Sequence, residues 1–362
     1  MSKAAELASL ASASETALSN RNLIINGAMQ IAQRATSVTG IGASSGYFTL
    51  DRWRISAGTS AGRLTMTQTA DGPSGFANCI KLDCTTADTS IAAGESLLLQ
   101  TRFEGQDLQQ LKKGTSDAEL ITVSFYVKAN AAFTFGVELY DADNTRQITK
   151  LFATTTGWVR HELTFPADTT GAFDDDNARS LSLQIWLHAG SDFASGTLNT
   201  AAWASSTSAN RAAGIDSFFS STDNNFFITG VQMEVGPVAT PFEHRSVGQE
   251  LALCQRYYWN TYNGAAIGSN TGQVNVIGRS AGGQNYETIS EGHFPTTMRA
   301  VPTMQIYNSI TGTAGSIRGD SSDFATCVIN FRGVNYYSFN MSNVAIGQST
   351  FVSGNVTADA EL

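Results

Sequence analysis

The feature that most constrains the fold of this chain is a series of short apolar segments with a period of two. Ile121–Val127 alternates apolar residues with small or polar ones, and Phe133–Leu139 repeats the pattern. Because successive side chains of a β-strand point to opposite faces, each segment predicts a strand with one buried face. Many such strands predict a mainly β protein, in which one apolar sheet face packs against another.

Turn-forming stretches separate the predicted strands, among them Asp71–Pro73, Asp141–Asn144 and Thr155–Gly157. The strands predicted before the middle helix are 22–25, 47–55, 63–69, 79–84, 96–103, 120–128, 133–140, 145–154, 158–165, 181–188 and 225–235. Those predicted after it are 274–279, 286–294, 304–307, 327–331, 336–341 and 350–356. The pattern predicts two β-rich domains of unequal size.

Two helices complete the predicted architecture. In Ser246–Trp259, a capping box at Ser246 and Gln249 precedes an apolar stripe that includes Cys254. Lys3–Leu18 is a short alanine-rich helix, and such a helix is marginally stable alone, so we expect it to pack against its own copies or a larger particle. A frayed terminus is the alternative. The predicted domains are an N-terminal helix for assembly or particle docking (1–20), a β-sandwich (21–245), a linking helix (246–262) and a C-terminal β domain (263–362).

Composition excludes several classes of protein. The net charge is −9 and no run of basic residues is longer than Lys112–Lys113, so binding to a phosphate backbone is not expected. No segment is apolar enough to span a membrane, and no signal peptide is recognisable. Cys79 and Cys84 lie in one predicted strand, too far apart for a disulfide bond, and all four cysteines are predicted to be buried free thiols: Cys79, Cys84, Cys254 and Cys327. We therefore expect folding in a reducing cytoplasm.

No catalytic residue can be named from the sequence. Gly42–Gly46 fits the Gly-x-Ser-x-Gly pattern, but a nucleophile elbow needs a strand before the serine and a helix after it, and here a strand follows. The four histidines share no metal-ligand spacing. The acidic clusters Asp141–Asn144 and Asp174–Asn177 are interpreted as a hairpin turn and a solvated loop, because each offers only part of a calcium site. We therefore expect no enzymatic activity.

Several stretches together resemble a known family. Asn22–Gly27, Tyr47–Trp53 and Ile121–Ala129 are similar to segments of bacteriophage tail proteins that contain a carbohydrate-binding-module-like jelly roll. Thr156–Phe165 is similar to a later strand of such modules. Ile228–Arg245, continued by Glu250–Tyr258, resembles the ending of many tail-fibre-like proteins.

The resemblance implies a jelly-roll β-sandwich, to which the smaller C-terminal β-sandwich is added, and a location in the virion after synthesis in the host cytoplasm. It also implies a homotrimer, with other virion proteins contacted through the N-terminal segment. Modules of this kind often hold a structural calcium ion near the first and last strands, which would place one near Asn26. No other cofactor is expected.

Sugar binding requires exposed aromatic faces beside neutral or acidic hydrogen-bonding groups. The predicted glycan-contact residues are Trp186, within Gln184–His188, and Trp203, whose small flanking residues leave it exposed. The leading hypothesis is a tail-fibre-like virion protein that contacts host surface glycans during attachment. The alternative is a purely structural virion component, such as a capsid decoration or tail hub, and a polysaccharide-degrading enzyme fits least well.

Overall fold

A computed structural model describes residues 20–262 and 287–319 without a break, together with residues 3, 267, 274–279, 323–324, 327–341 and 349–362. The predicted N-terminal helix, apart from Lys3, therefore lies outside the described residues. The chain divides into two compact units: Met1–Gln30 with Ser37–Ser246, and Ile31–Thr36 with Val247–Leu362. In the described part of the chain, no helix is long and apolar enough to cross a membrane.

The first unit is a sandwich of two antiparallel sheets. Its strands are β1 (Ser37–Ile41), β2 (Gly46–Tyr47), β3 (Arg54–Ala57), β4 (Arg63–Thr69), β5 (Cys79–Thr86), β6 (Ser96–Glu104), β7 (Ile121–Ala129), β8 (Thr134–Asp141), β9 (Arg146–Ala153), β10 (Val159–Phe165), β11 (Arg179–Ala189), β12 (Ala204–Ser205) and β13 (Asn225–Val235). One sheet has the order β1-β4-β5-β13-β7-β10, and the other β12-β9-β8-β11-β6-β3-β2. Helix α1 (Ser191–Ala194) and four 3-10 helices, Gly105–Asp107, Gln109–Leu111, Ser208–Asn210 and Phe218–Ser220, lie in the connections. The prediction of a mainly β, jelly-roll-type sandwich is confirmed.

Aromatic rings from the two sheets meet in the core and define the inner face of each sheet. The ring centroids of Phe125 in β7 and Phe152 in β9 are 5.0 Å apart, and those of Phe135 in β8 and Phe226 in β13 are 5.6 Å apart. Burying such a ring stabilises the fold by roughly 1.5–3 kcal/mol. Because side chains alternate along β8, Glu138 then lies on the outer face of the seven-stranded sheet.

In the first unit, one predicted strand is absent and one is divided, and β1 and β12 were not predicted. The predicted strands 63–69 and 225–235 coincide with β4 and β13, but residues 22–25 lie outside any strand, and 47–55 is split into β2 and β3. The backbones of Asn26 (φ 59°) and Arg52 (φ 69°) are left-handed, which interrupts extended pairing, and the Trp53 N–H closes a turn onto the carbonyl oxygen of Leu50 (3.3 Å). The alternation of residue types did not reveal these backbone reversals.

The two stretches that carry the opening and closing parts of the family resemblance meet in the folded chain. The carboxylate of Glu243 accepts the backbone N–H groups of Asn20 (2.6 Å) and Asn22 (2.9 Å). Arg245 donates to the carbonyl oxygens of Ile24 (3.0 Å) and Asn22. These charge-assisted hydrogen bonds satisfy backbone groups of a segment that has no ladder partner of its own.

A close approach of backbones completes this junction. The Val231 N–H donates to the carbonyl oxygen of Gly27 (3.0 Å), and a Cβ atom at Gly27 would lie 2.2 Å from the carbonyl oxygen of Val231. Only glycine fits there. Trp53, which is fully buried, donates its Nε1–H to the carbonyl oxygen of Asn26 (3.1 Å).

The second unit begins with helix α2 (Val247–Gln255), which the sequence analysis places as a linker. Its strands are β14 (Tyr258–Asn260), β15 (Val274–Arg279), β16 (Glu287–His293), β17 (Thr303–Asn308), β18 (Ile317–Gly319), β19 (Asp323–Phe324), β20 (Cys327–Arg332), β21 (Tyr336–Met341) and β22 (Ser349–Asp359). One sheet contains β14, β22, β18 and β19, with β15 and β17 also paired to β22, and a second has the order β16-β21-β20. Its core cluster includes Phe294, Met304, Ile306, Tyr337, Phe339 and Val356.

Residues 31–36 belong to the second unit although they precede most of the first in sequence. Arg34 lies 3.6 Å above the Tyr258 ring and forms ion pairs with Asp359 (3.1 Å) and Glu361 (3.4 Å). Gln33 donates to the carbonyl oxygen of Tyr258 (2.8 Å). The sequence did not predict that residues 31–36 belong to the second unit, because their hydrogen-bond partners are more than 200 residues away.

The interpretation of the cysteines as buried free thiols is confirmed for Cys79, Cys84 and Cys254. Burial raises the pKa of the Cys79 thiol to about 12 and that of Cys84 to about 11, so both remain protonated at neutral pH. The side chain of Cys327 lies outside the described residues.

Candidate functional site

A cavity of about 420 Å³ lies between the 3-10 helices that follow β6 and the loop that joins β10 to β11. This volume is in the range of small-molecule sites, about 300–1,000 Å³. The cavity combines one aromatic ring and two smaller apolar side chains with polar and charged groups. Its lining residues are Leu108, Gln109, Lys112, Lys113, Thr115, Asp117, Ala172 and Phe173.

Lys113 fixes the shape of one wall. Its ammonium Nζ lies 2.6 Å from the carboxylate of Asp141 and 3.1 Å from that of Asp168. It also donates to the carbonyl oxygens of Thr170 (3.0 Å) and Gly171 (2.6 Å). Lys113 therefore holds the 168–171 segment that leads into the cavity wall. Its ammonium group binds carboxylates and carbonyl oxygens of the chain itself, so its role is structural.

The wall itself depends on tight packing around Phe173. The Nζ of Lys113 lies 5.0 Å from the centre of this ring, a cation–π contact that orients it. On the facing turn, Gly114 has φ +81° and a Cβ atom there would lie 2.5 Å from the backbone nitrogen of Ala172. A side chain at Gly114 would push the two walls of the cavity apart.

Arg146 completes a buried group of four charges, here called the lysine network: Lys113, Asp141, Asp168 and Arg146. The guanidinium binds Asp168 through two hydrogen bonds of 2.7 and 2.9 Å. Burial is the largest influence on the pKa of Asp168 and raises it, but the hydrogen bonds from Arg146 and the Thr170 N–H, with the charge of Lys113, together outweigh it. The pKa of Asp168 therefore lies below its ordinary value, and the network carries two positive and two negative charges.

Trp203 is part of this framework, and the prediction that its ring is exposed is wrong. Its side chain is 7% exposed, and its Nε1–H donates to the carbonyl oxygen of Pro166 (2.9 Å). Its carbonyl oxygen accepts a hydrogen bond from Arg146 (3.2 Å), and its ring lies 5.6 Å from the Nζ of Lys113. Small neighbours in sequence do not bury Trp203, but distant segments do.

Trp186 is also buried, at 1% exposure, so neither predicted tryptophan offers a free ring face for a sugar. Its Nε1–H donates to the Glu138 carboxylate (2.7 Å), and Arg211 binds the same carboxylate through two hydrogen bonds of 2.9 Å. The ring also packs against Phe193 with centroids 5.3 Å apart. Both Phe193 and Arg211 belong to residues 190–217, here called the covering loop, which packs on the outer face of the seven-stranded sheet.

His188 fastens the end of the covering loop to the same sheet. Its Nδ1 lies 2.7 Å from the hydroxyl of Ser217, and its Nε2 lies 3.2 Å from the carboxylate of Glu95. Burial lowers the pKa of His188 and outweighs the opposing effects of Glu95 and Asp88, so the imidazole is neutral at pH 7. The ring is fully buried, and Phe219 packs on it, so the arrangement serves to hold the loop.

The side chain of Asn26 is used by the fold. Its amide nitrogen donates to the carbonyl oxygen of Asp51 (3.0 Å), and its oxygen accepts the N–H of Gln30 (2.9 Å). Across the described ranges, no group of three or more His, Cys, Asp or Glu side chains is placed to hold a metal ion. The calcium ion near Asn26 stays a prediction from the family resemblance.

The acidic clusters differ from each other in a way that the sequence did not show. Asp141–Asn144 forms the turn between β8 and β9, as predicted, but Asp141 is fully buried against Lys113 rather than solvated. Asp174–Asn177 is an exposed loop. The charge of Lys113 close to the apolar Leu111 is the one local sign of the lysine network in the sequence. It does not identify the acidic partners, because these lie 28 and 55 residues further along the chain.

Comparison with known proteins gives a structural likeness only. No known family and no curated protein matches the sequence. A family 4 carbohydrate-binding module has a TM-score of 0.31 at 12% identity, covering 58% of this chain and 97% of the module. The enzymatically active domain of bacteriophage CBA120 tailspike protein 4 has a TM-score of 0.31 at 11% identity, covering 59% of this chain and 21% of the tailspike chain. A family 11 carbohydrate-binding module from Clostridium thermocellum has a TM-score of 0.28 at 10% identity, covering 52% of this chain and 91% of the module. These values assign neither a ligand nor an activity to this chain.

Proposed function

We propose that this chain is a non-enzymatic, glycan-contacting structural protein of a bacteriophage particle, and that the cavity beside Phe173 is a glycan site. The observation that carries the glycan part is the cavity itself, with an aromatic ring next to neutral and acidic hydrogen-bonding groups. The location in the particle is supported by the sequence resemblance to tail-fibre-like proteins. The two segments of this chain that carry the opening and closing parts of that resemblance meet in the fold.

The lining of the cavity suits a sugar ring. The C–H groups of a pyranose pack on apolar surface, which here consists of the exposed Ala172 and the 8% of Phe173 that is exposed. Sugar hydroxyls need donors and acceptors, and Gln109, Thr115 and Asp117 line the cavity with exposed side chains. The ring and the loop around it are already held by Lys113, so binding requires little reorganisation.

Glycan arrays followed by calorimetry with fragments of host surface polysaccharide test this site. The double variant Gln109→Ala/Asp117→Asn removes two hydrogen-bonding groups, and we expect it to weaken binding at least about 10-fold. Asp223→Asn, at an exposed aspartate on a different turn, is the matched control and keeps the wild-type affinity. Unchanged affinity in the double variant would remove the cavity from the proposal.

The particle location is tested separately. In this proposal the chain is a homotrimer in an appendage, contacts other virion proteins through its N-terminal segment and serves host attachment. Mass spectrometry of purified particles should detect the chain, and cryo-electron microscopy should place three copies in each projecting appendage. A strictly monomeric protein that is absent from particles would contradict it.

A purely structural virion role, as a capsid decoration or tail hub, is the second candidate. The burial of Trp186 and Trp203 favours it, because the two large aromatic side chains expected to contact sugar instead hold the sandwich and its covering loop. Silence on glycan arrays, together with failure of the purified protein to compete with phage adsorption, would select this candidate.

A further inference from the structure

Three members of the lysine network have the chemistry and the spacing for a covalent reaction. The Nζ atom of Lys113 lies 2.6 Å from a carboxylate oxygen of Asp141 and 3.1 Å from one of Asp168, and the three side chains are at most 5% exposed. Because a C–O bond adds only about 1.2 Å, Nζ lies within about 4 Å of the Asp141 carboxyl carbon. An amine and two carboxyl groups held this close can form an amide, in which one carboxyl accepts the nitrogen and the other carries the proton.

The surroundings of Lys113 favour the uncharged forms that this reaction needs. Its Nζ lies 5.0 Å from the centre of the Phe173 ring and 5.6 Å from that of Trp203, and both rings are at most 8% exposed. Moving one proton from the ammonium to Asp141 turns two buried ions into an amine and a carboxylic acid, and apolar surroundings penalise the ions more than the neutral groups. The amine is then a nucleophile in contact with the carboxyl that it would attack.

The two carboxyl groups are held in ways that suit different roles. Asp168 binds the guanidinium of Arg146 through two hydrogen bonds of 2.7 and 2.9 Å, which keep it ionised and able to accept a proton. Asp141 is held by Asn144 instead. Its Oδ1 accepts the backbone N–H of Asn144 (2.9 Å), and the side-chain amide of Asn144 donates to both carboxylate oxygens (3.1 and 3.3 Å). These donors are placed to stabilise negative charge on Oδ1 when the carboxyl carbon is attacked.

We propose that Lys113 and Asp141 form an isopeptide bond within the chain and release one water molecule. The lone pair of Nζ attacks Cγ of Asp141, and negative charge develops on Oδ1 beside Asn144. Asp168 takes one proton from the nitrogen and gives it to the hydroxyl that contains Oδ2, which leaves as water when the C–O bond breaks. One C–N bond replaces one C–O bond, and no oxidant, reductant or other co-reactant is consumed.

The product fits the same surroundings. The reaction consumes one positive and one negative charge, and Asp168 keeps its two hydrogen bonds from Arg146, so the charges that remain are still paired. The carbonyl oxygens of Thr170 and Gly171, which accept from Nζ at 3.0 and 2.6 Å, are available to the N–H of the new amide. The bond would join the segment after β6 to the end of β8 and close a loop in the unfolded chain, which stabilises the fold. This inference does not depend on the proposed function.

Intact-mass spectrometry of the denatured full chain tests the proposal. The wild type should be lighter than its sequence mass by one water, whereas Lys113→Met and Asp141→Ala should each have their full sequence mass. An aspartate before a glycine can also lose water by closing a ring with its own backbone, and Asp71–Gly72 is such a pair. Protease digestion should therefore yield a branched peptide that joins Lys113 to Asp141.

Two further variants test the role of Asp168. Asp168→Asn keeps both reacting groups but lacks the proton carrier, so the bond should form at least about 100-fold more slowly. Lys112→Met, at the exposed neighbouring lysine, should lose one water as the wild type does. Bond formation in Asp168→Asn at the wild-type rate would overturn the mechanism.

The wild-type chain decides the proposal even if a variant fails to fold. A wild type at its full sequence mass would overturn it, and so would a loss of water that maps to Asp71–Gly72. A branched peptide that joins Lys113 to Asp168 would overturn the assignment of Asp141 as the reacting carboxyl.

Discussion

The lysine network and two ion pairs on the six-stranded sheet, here called the surface lysine pairs, contain the same number of charges but differ in burial. In the network, the ammonium of Lys113 lies within 2.6–3.1 Å of two carboxylates, one of which Arg146 also binds. The surface lysine pairs are Lys128 with Asp71 (2.7 Å) and Lys81 with Asp83 (2.9 Å), and their side chains are 18–50% exposed. Buried charges depend on their partners, whereas water solvates exposed charges and makes their pairing weak.

The two regions also differ in what they connect. The members of the lysine network come from the segment after β6, the ends of β8 and β9 and the loop after β10, so they tie distant parts of the chain to one another. Lys81 and Asp83 lie on one strand, β5, and Lys128 lies on β7 of the same sheet, where the ladders already fix the backbone. Removing a charge should therefore cost much more stability in the lysine network than at the surface lysine pairs.

The largest effect is expected at Lys113. Lys113→Met leaves Asp141, which is fully buried, and Asp168 without their shared cation, so the free energy of unfolding should fall by about 3–5 kcal/mol. Urea denaturation at pH 7 measures the change. Lys112→Met, next in sequence but exposed, should leave the urea midpoint close to that of the wild type. Similar values for the two variants would contradict the role of the network.

A smaller loss is expected at Arg146. Arg146→Gln removes two hydrogen bonds to Asp168, which keeps Lys113, so the free energy of unfolding should fall by about 1.5–3 kcal/mol. Arg160→Gln, which breaks a half-exposed ion pair with Glu162 and a hydrogen bond to the carbonyl oxygen of Thr240, is the control, with an expected change below about 1 kcal/mol. If the control loses as much as Arg146→Gln, burial of the network is irrelevant to its strength.

Acid should weaken the network in a defined window. The pKa of Asp168 lies below its ordinary value of 3.8 in the folded protein, so its contribution is complete above that value and is lost as the pH falls through the lower folded pKa. Denaturation of the wild type and Asp168→Asn at a series of pH values from 7 to about 2 tests this. The stability difference between them should shrink below pH 3.8, and a difference that stays constant would contradict the assignment.

The smallest effect is expected at the surface lysine pairs. Lys81→Gln breaks the ion pair with Asp83, whose two side chains are 32% and 34% exposed, so the free energy of unfolding should fall by less than about 1 kcal/mol. Salt screens such a pair, so the loss should disappear at about 0.5 M NaCl in differential scanning calorimetry. A loss as large as that of Arg146→Gln would contradict the role given to burial.

Local patterns predicted the strands well where one face is apolar. Arg63–Thr69 and Asn225–Val235 have the predicted bounds, because alternation and flanking turns determine them locally. Local patterns did not predict the division of the 47–55 strand at residues 48–53, nor the burial of Trp186 and Trp203. Trp203 lies among small residues in sequence, but its burial comes from Pro166, Arg146 and Lys113, which only the fold brings to it.

By itself the sequence determined a mainly β chain with low charge, buried thiols and a junction between two β-rich parts, because alternation, composition and capping act over a few residues. Tertiary structure alone decided that residues 31–36 join the second unit, that the covering loop buries Trp186, and that four charges meet around Lys113. The register of distant strands decides such encounters, and no local pattern records that register.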